Sequence, residues 1–196
     1  VMSWRDIHPR AATLEFSRDR KSMSVLCDFP EGDYPSASEL HEGVRSRKAG
    51  KRLLDKGAPN LLIERCTHVK FRDGTVSKMT GPIRRSIEEK LSEMACRPLR
   101  CLALAVKDSN ELDPSLRDFA PTEEGDVQNH PLLSDSANYR NIESGLTLVG
   151  IVGIKDPARP EVADSITECT RAGIRVLMIT GDAKDTAVAI ARDVNI

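Results

Sequence analysis

Ile174-Arg175-Val176-Leu177-Met178-Ile179, followed by Thr180-Gly181-Asp182 and then by the helical pattern Asp185 to Val194, is the stretch on which the fold class turns. A short apolar run between turn signals reads as a strand buried in a parallel sheet, so the hydroxyl of Thr180, the flexible Gly181 and the carboxylate of Asp182 fall at its carboxyl end, where α/β sheets bind ligands. That position points to phosphate or metal chemistry.

Just upstream, Val162, Ile166 and Cys169 line one side of a helix that Gly173 can close. Gly145 to Gly153 reads as another buried strand, ending where Pro157 and Pro160 break any ladder, which sets a domain boundary at residues 154/155. Strand, helix, strand, turn, helix is the order of a doubly wound sheet.

Further out the pattern changes. Ala11 to Phe16 and Ser22 to Cys27 read as strands around the charged loop Ser17 to Lys21, and Arg52 to Asp55 as a short strand before the turn Lys56-Gly57-Ala58-Pro59. Asn60 to Cys66 suits a short helix, and His68 to Phe71 and Thr75 to Lys78 flank a hairpin turn at Asp73-Gly74. Thr80 can cap a helix with Pro82 in its first turn and Ile83, Ile87, Leu91 and Met94 on one face, and Leu99 to Val106 is an apolar strand. Lys107 to Ser144 is acidic and aperiodic, which predicts a surface insertion or disordered loop. Asp28 to Gly50 is polar, and the cations Arg45, Arg47, Lys48, Lys51 and Arg52 read as a solvated cluster. The expected class is α+β: an antiparallel sheet flanked by helices over residues 1–154, then a short α/β segment over 155–196.

At 196 residues with 39% hydrophobic content, the chain can bury a real core. A formal charge of -1 with interspersed signs gives no broad attraction to nucleic acid or anionic lipid. No run approaches the roughly 20 apolar residues of a membrane span, and Val1 to Asp6 does not read as a signal peptide. Cys27, Cys66, Cys96, Cys101 and Cys169 contain no Cys-x-x-Cys pair, arguing for a reducing setting without a disulfide framework or zinc site. His8, His41, His68 and His130 lack metal-ligand spacing and read as surface or partly packed side chains.

A phosphate cradle needs glycines at fixed spacing. Gly43 and Gly50-Lys51-Arg52 are separated by six intervening residues instead of four, Arg52 stands where a magnesium-binding hydroxyl is needed, and no Gly-x-Gly-x-x-Gly occurs. Any nucleotide must be held by side chains. Phe16 can stack on a base, Arg18, Lys21, Lys56 and Arg100 can meet phosphates, and Gly57 allows close backbone approach. Each has a bland reading too: Phe16 as core, Lys21 as a loop cation, Arg100 as a surface ion-pair partner.

Taken together, the wording is specific. Thr13-Leu14-Glu15-Phe16-Ser17-Arg18-Asp19-Arg20-Lys21-Ser22-Met23-Ser24-Val25, Lys56-Gly57-Ala58-Pro59, Thr80-Gly81-Pro82, Leu99-Arg100-Cys101-Leu102-Ala103-Leu104-Ala105, Asp156-Pro157-Ala158-Arg159 and Met178-Ile179-Thr180-Gly181-Asp182 occur in the order seen in P-type cation-transporting ATPases. The chain resembles the sarco/endoplasmic-reticulum calcium-pump type over nearly its whole length outside 28–50 and 107–141.

The resemblance implies a cytosolic nucleotide-binding domain inserted in a haloacid-dehalogenase-like phosphorylation domain, at the cytosolic face of the endoplasmic or sarcoplasmic reticulum. ATP, with Mg2+ in the full pump, would be the ligand. Phe16 would stack on adenine, Lys21 and Lys56 would line the pocket with Gly57 against the nucleotide, Arg18 and Arg100 would reach phosphates, and Leu102 would pack near the base or ribose. Asp156, Pro157 and Arg159 would belong to the hinge, and Thr180, Gly181 and Asp182 would contact the transferring phosphoryl group. Partners would be the remaining phosphorylation, actuator and transmembrane domains.

Departures accompany the likeness. The family's Asp-Lys-Thr-Gly-Thr and Gly-Asp-Gly-x-Asn-Asp strings are absent, as is the front of the nucleotide domain, and Asn60, Ala158 and Ala183 replace the usual Glu, Pro and Asn. The expected piece is the rear of a nucleotide domain plus the start of the rear phosphorylation domain, unable to form an aspartyl-phosphate. Two other classes stay open: a haloacid-dehalogenase-type phosphatase, which would need an Asp-x-Asp nucleophile not found here, and a non-catalytic interaction module using Arg45 to Arg52 or the acidic loop.

Overall fold

Alternating small and apolar residues build the first strands. The computed structural model describes residues 4–29, 50–97, 99–121, 125–155, 158–181 and 184–196. After a short helix α1 (Trp4–Ile7) come β1 (Arg10–Ser17), β2 (Ser22–Phe29) and β3 (Gly50–Gly57), then α2 (Pro59–Arg65), β4 (Cys66–Lys70), β5 (Val76–Lys78), α3 (Gly81–Ala95) and β6 (Leu99–Lys107). Three one-turn helices follow, α4 (Pro114–Arg117), α5 (Asp126–Asn129) and α6 (Tyr139–Ile142), before β7 (Leu146–Lys155), α7 (Val162–Arg171) and α8 (Lys184–Asp193).

The strands hydrogen-bond in the order β1-β2-β3-β6-β7-β4-β5. The sheet is mixed, correcting the antiparallel expectation: β1, β2, β3 and β6 pair antiparallel, as do β4 and β5, but β4 runs parallel to β7 with Val69 opposite Leu148. The chain divides into two units, residues 1–79 with 103–150, and 80–102 with 151–196, so β6 and β7 each contribute to both.

In the first unit, period-two alternation sends Leu14, Leu26 and Leu53 to one side of the sheet, and Leu62 and Ile63 of α2, Leu116 and Leu146 are also fully buried. Each such side chain contributes about 1.5 to 3 kcal/mol relative to exposure. The Asp73-Gly74 turn forms as expected, with Thr75 N donating to Asp73 Oδ1 at 2.9 Å and Phe71 N to Thr75 O at 2.8 Å.

Three expectations for this unit are overturned. Residues 107–144 are not a featureless loop among those described: α4, capped by Asp113, and α6, which follows a 3-10 turn (Ser136–Asn138) capped by Asp135, lower Leu116 and Ile142 into the interior, joined by Leu112 and Leu133, because single turns suffice to aim isolated apolar residues inward. Lys51 and Arg52 are not a solvated cluster but buried β3 residues, Lys51 paired with Asp28, and Arg52 with Asp108 at 2.8 Å and against the Phe29 ring. Arg45, Arg47, Lys48, Gly43 and His41 lie outside the described residues. His8 and His130 are buried rather than superficial, His8 against Phe29 and His130 edge-on to Phe119 with Nε2 3.2 Å from Ser115 O.

The second unit holds α3, the start of β6, the end of β7, α7 and α8. On α3 the half-buried stripe contains Ile83, Ile87, Leu91 and Met94, as the spacing requires. Thr80 occupies the N-cap position without a side-chain cap bond. Met94 and Leu99 crowd Gly153, α3 packs on α8, and Thr186 Oγ1 donates to Leu99 O at 3.4 Å. Gly173 closes the α7 end with φ +76°, a conformation glycine adopts without a Cβ penalty, and Ile174 N donates back to Cys169 O at 2.9 Å.

The strand expected over Ile174–Ile179 does not form. That run has no ladder partner among the described residues, and Leu177 and Ile179 are 69% and 96% exposed. Apolarity records what a segment tends to bury, whereas a parallel strand exists only with neighbours to accept its hydrogen bonds. The haloacid-dehalogenase-like α/β segment expected over 155–196 is therefore not confirmed: beyond β7 the described residues hold α7 and α8 and no strand. Likewise β7 is buried only over Leu146–Leu148, with Val149, Val152 and Ile154 exposed. No helix among the described residues is long and apolar enough to cross a membrane.

Candidate functional site

β1 ends at Phe16-Ser17, and the chain reverses through Arg18-Asp19-Arg20-Lys21 into β2. Ser17 O accepts from Lys21 N at 2.8 Å and Ser17 Oγ from Arg20 N at 3.2 Å, closing the turn locally. Lys21 takes φ +48°, a left-handed conformation that costs a non-glycine residue roughly 1 to 2 kcal/mol. Its carbonyl is turned toward β3 and accepts from Ala58 N at 2.8 Å. Gly57 makes this docking possible, since a Cβ there would stand 2.7 Å from Lys21 O and 2.8 Å from Ser22 Cβ.

The turn thus sets Lys21 beside the Lys56-Gly57 corner. Arg18, Lys21 and Lys56 are all exposed, and the Phe16 ring is 61% exposed, which removes its reading as core. An uncovered aromatic face and exposed cations are the kinds of group that accept a flat base and an anionic tail.

Arg20 points the opposite way. It is buried, ion-paired with Glu143 through Nη1, hydrogen-bonded to Glu15 O through Nη2, and seated over the Tyr139 ring at 5.0 Å. Glu143, 0% exposed, also accepts from Ser24 Oγ at 2.9 Å, Ser22 Oγ at 2.8 Å and Arg65 Nη1 at 2.5 Å. Four donors on one carboxylate offset the large cost of burying its charge. Arg65, at the end of α2, also reaches Leu61 O and, at 3.5 Å, Arg20 O.

Asp55 sits on the same face, opposite Ser24 on β2 and Ala105 on β6, 3% exposed. Neither carboxylate oxygen completes a hydrogen bond. Burial foremost, then the Glu143 carboxylate, pushes its carboxyl up to about 8, against weaker opposing pulls from Arg65, Arg20 and the Lys56 N–H.

A family model described as P-type ATPase, cytoplasmic domain N, matches residues 1–161. The chain belongs to that family. Among curated proteins this P-type ATPase chain is 41% identical over 195 residues to "Calcium-transporting ATPase 4, endoplasmic reticulum-type" and 38% identical over 193 residues to "Calcium-transporting ATPase 2, endoplasmic reticulum-type", both of Arabidopsis thaliana. Each match covers 98% of the chain and 16% of the relative, so the chain spans about one-sixth of their length.

Phe16, Arg18, Lys21, Lys56 and Gly57 of the P-type ATPase chain are gathered in the first unit, whereas Arg100, exposed, and Leu102, half-buried, belong to the second. Thr180, Gly181 and Arg159 are exposed in the second unit. Asp182, Asp156 and Pro157 lie outside the described residues. Sequence reasoning missed Arg20, Arg65, Glu143 and Asp55. Only Asp55 carried a signal, a carboxylate inside the apolar strand Leu53-Leu54-Asp55, since the Arg20–Glu143 pairing spans 123 positions and has no periodicity to betray it. No cluster of three or more His, Cys, Asp or Glu able to hold a metal occurs among the described residues.

Proposed function

We propose that the chain is the ATP-binding part of a P-type calcium-transporting ATPase, delivering ATP to a phosphorylatable aspartate outside these residues. The observation carrying this reading is the exposed Phe16 ring one residue before a turn whose Lys21 carbonyl is docked at Lys56-Gly57. Phe16 stacks on adenine, and Arg18, Lys21 and Lys56 meet phosphates; for Arg100 and Leu102, which belong to the second unit, phosphate contact and packing near the base or ribose rest on the family resemblance alone. Mg2+ arrives with ATP, held by its phosphates. Phosphoryl transfer depends on positioning and charge neutralisation, the work that outward cations on a fixed turn can do.

Residues 1–154 form the nucleotide-binding part, and 155–196 the hinge, with Asp156, Pro157 and Arg159, and the start of the phosphorylation domain, where Thr180, Gly181 and Asp182 contact the transferring phosphoryl group. The calcium assignment and the endoplasmic reticulum rest on the relatives' names, and the cytosolic face on the family resemblance alone. The chain alone binds nucleotide without turning it over. The phosphatase reading loses the strand context on which it depended.

ATP titration followed by amide NMR tests the proposal. Shifts should concentrate at Phe16, Lys21, Lys56 and Arg100, and their absence at millimolar ATP would defeat it.

A further inference from the structure

Two segments of the chain present the outward cations: the Ser17–Lys21 turn, with Arg18 and Lys21, and the β3–α2 corner, with Lys56. One carboxylate holds both. Glu143 Oε1 takes the Arg20 guanidinium of the turn, and Oε2 takes Arg65 Nη1, from the helix that begins two residues after Gly57. Ser22 and Ser24 on β2 complete its shell.

We propose that Glu143 is a positioning residue for nucleotide binding, fixing through Arg20 and Arg65 the two cation-bearing segments in one mutual arrangement. The inference rests on the ATP-binding reading above. Three features require such an anchor. Lys21 keeps a left-handed backbone that a free turn of lysine and arginine residues would leave. Arg20 is the one buried cation of a turn whose Arg18, Asp19 and Lys21 are exposed, so the turn is held from within. The Arg65 contact to Arg20 O links the corner helix directly to the turn backbone. The partners of Glu143 among the described residues are Arg20, Arg65, Ser22 and Ser24, so it acts on the cation-bearing segments through the two arginines.

The test compares ATP with adenosine on the unaltered chain, Glu143→Gln and Arg20→Met, by titration calorimetry alongside hydrogen exchange at Lys21 and Ala58. Adenosine reports the stacking ring, and ATP adds the cations. Losing charge-assisted contacts to phosphate should weaken ATP about tenfold in both variants while adenosine stays within about twofold, with faster exchange at both amides. A merely structural role would lower both ligands together or neither. Arg20→Met leaves Glu143 paired with Arg65, Ser22 and Ser24, and decides the matter should Glu143→Gln fail to fold. An unchanged ATP-to-adenosine ratio in a folded variant overturns the role of Glu143 alone. Failure of the unaltered chain to bind ATP overturns the ATP reading and this inference with it.

Discussion

Gly57 and Lys21 touch through their backbones: a methyl group placed on the glycine would lie 2.7 Å from the lysine carbonyl oxygen. The contact joins a β-strand end to a turn on the neighbouring strand pair, and neither partner can yield without breaking the Ala58 N to Lys21 O bond. Gly57→Ala should therefore destabilise the chain by about 1 to 3 kcal/mol, the range for forcing extra volume into a packed site. Urea unfolding measures it, and a midpoint unchanged from the unaltered chain would refute the close approach.

Phe16→Ala separates binding from folding. The ring is largely in solvent, so its loss should leave the unfolding midpoint nearly where it was, while ATP binding weakens by about 5- to 150-fold, the value of one base–aromatic stack. Calorimetry giving equal ATP affinities would remove the stacking role.

Lys56→Ala should weaken ATP binding without unfolding the chain, because the exposed lysine contributes charge and little packing. The dependence of ATP affinity on salt should also become shallower with one cation gone. A folded variant with unaltered affinity and salt slope would show that Lys56 faces no phosphate.

Asp55 makes stability depend on pH. Its carboxyl ionises near 3.8 when unfolded and about 8 when folded, so between those values the native chain keeps a proton that the unfolded chain has released. This contribution is fully present below the lower value and is lost as pH rises through the upper one, with a slope of at most about 1.4 kcal/mol per pH unit. Asp55→Asn removes the titration, and its stability should fall less than that of the unaltered chain from pH 5 to 9. Parallel curves in urea unfolding would place the Asp55 carboxyl at an ordinary value.

What the residues disclosed depended on distance along the chain. The Asp73-Gly74 hairpin and the Ile83, Ile87, Leu91, Met94 stripe of α3 are local patterns, and both stand where spacing put them. The one-turn helices of 107–144 are shorter than any window in which a helical period shows, so Leu116 and Ile142 gave no sign of their burial. The strand signal of Ile174–Ile179 is its apolarity, which cannot report whether a neighbouring strand exists. At the candidate site Phe16, Lys21, Lys56 and Gly57 were legible because they sit in continuous motifs. Glu143 was not, because its partners come from the turn, β2 and α2, and only folding assembles them.

The 123 positions between Arg20 and its carboxylate also impose a timetable on biosynthesis. At about 5 to 20 residues per second, a ribosome needs about 6 to 25 s after making Arg20 before Glu143 exists. Throughout that interval the nascent turn carries a guanidinium destined for the interior with no counter-ion to receive it, so the cation-bearing surface matures only after β6 and α4 to α6 have been synthesised.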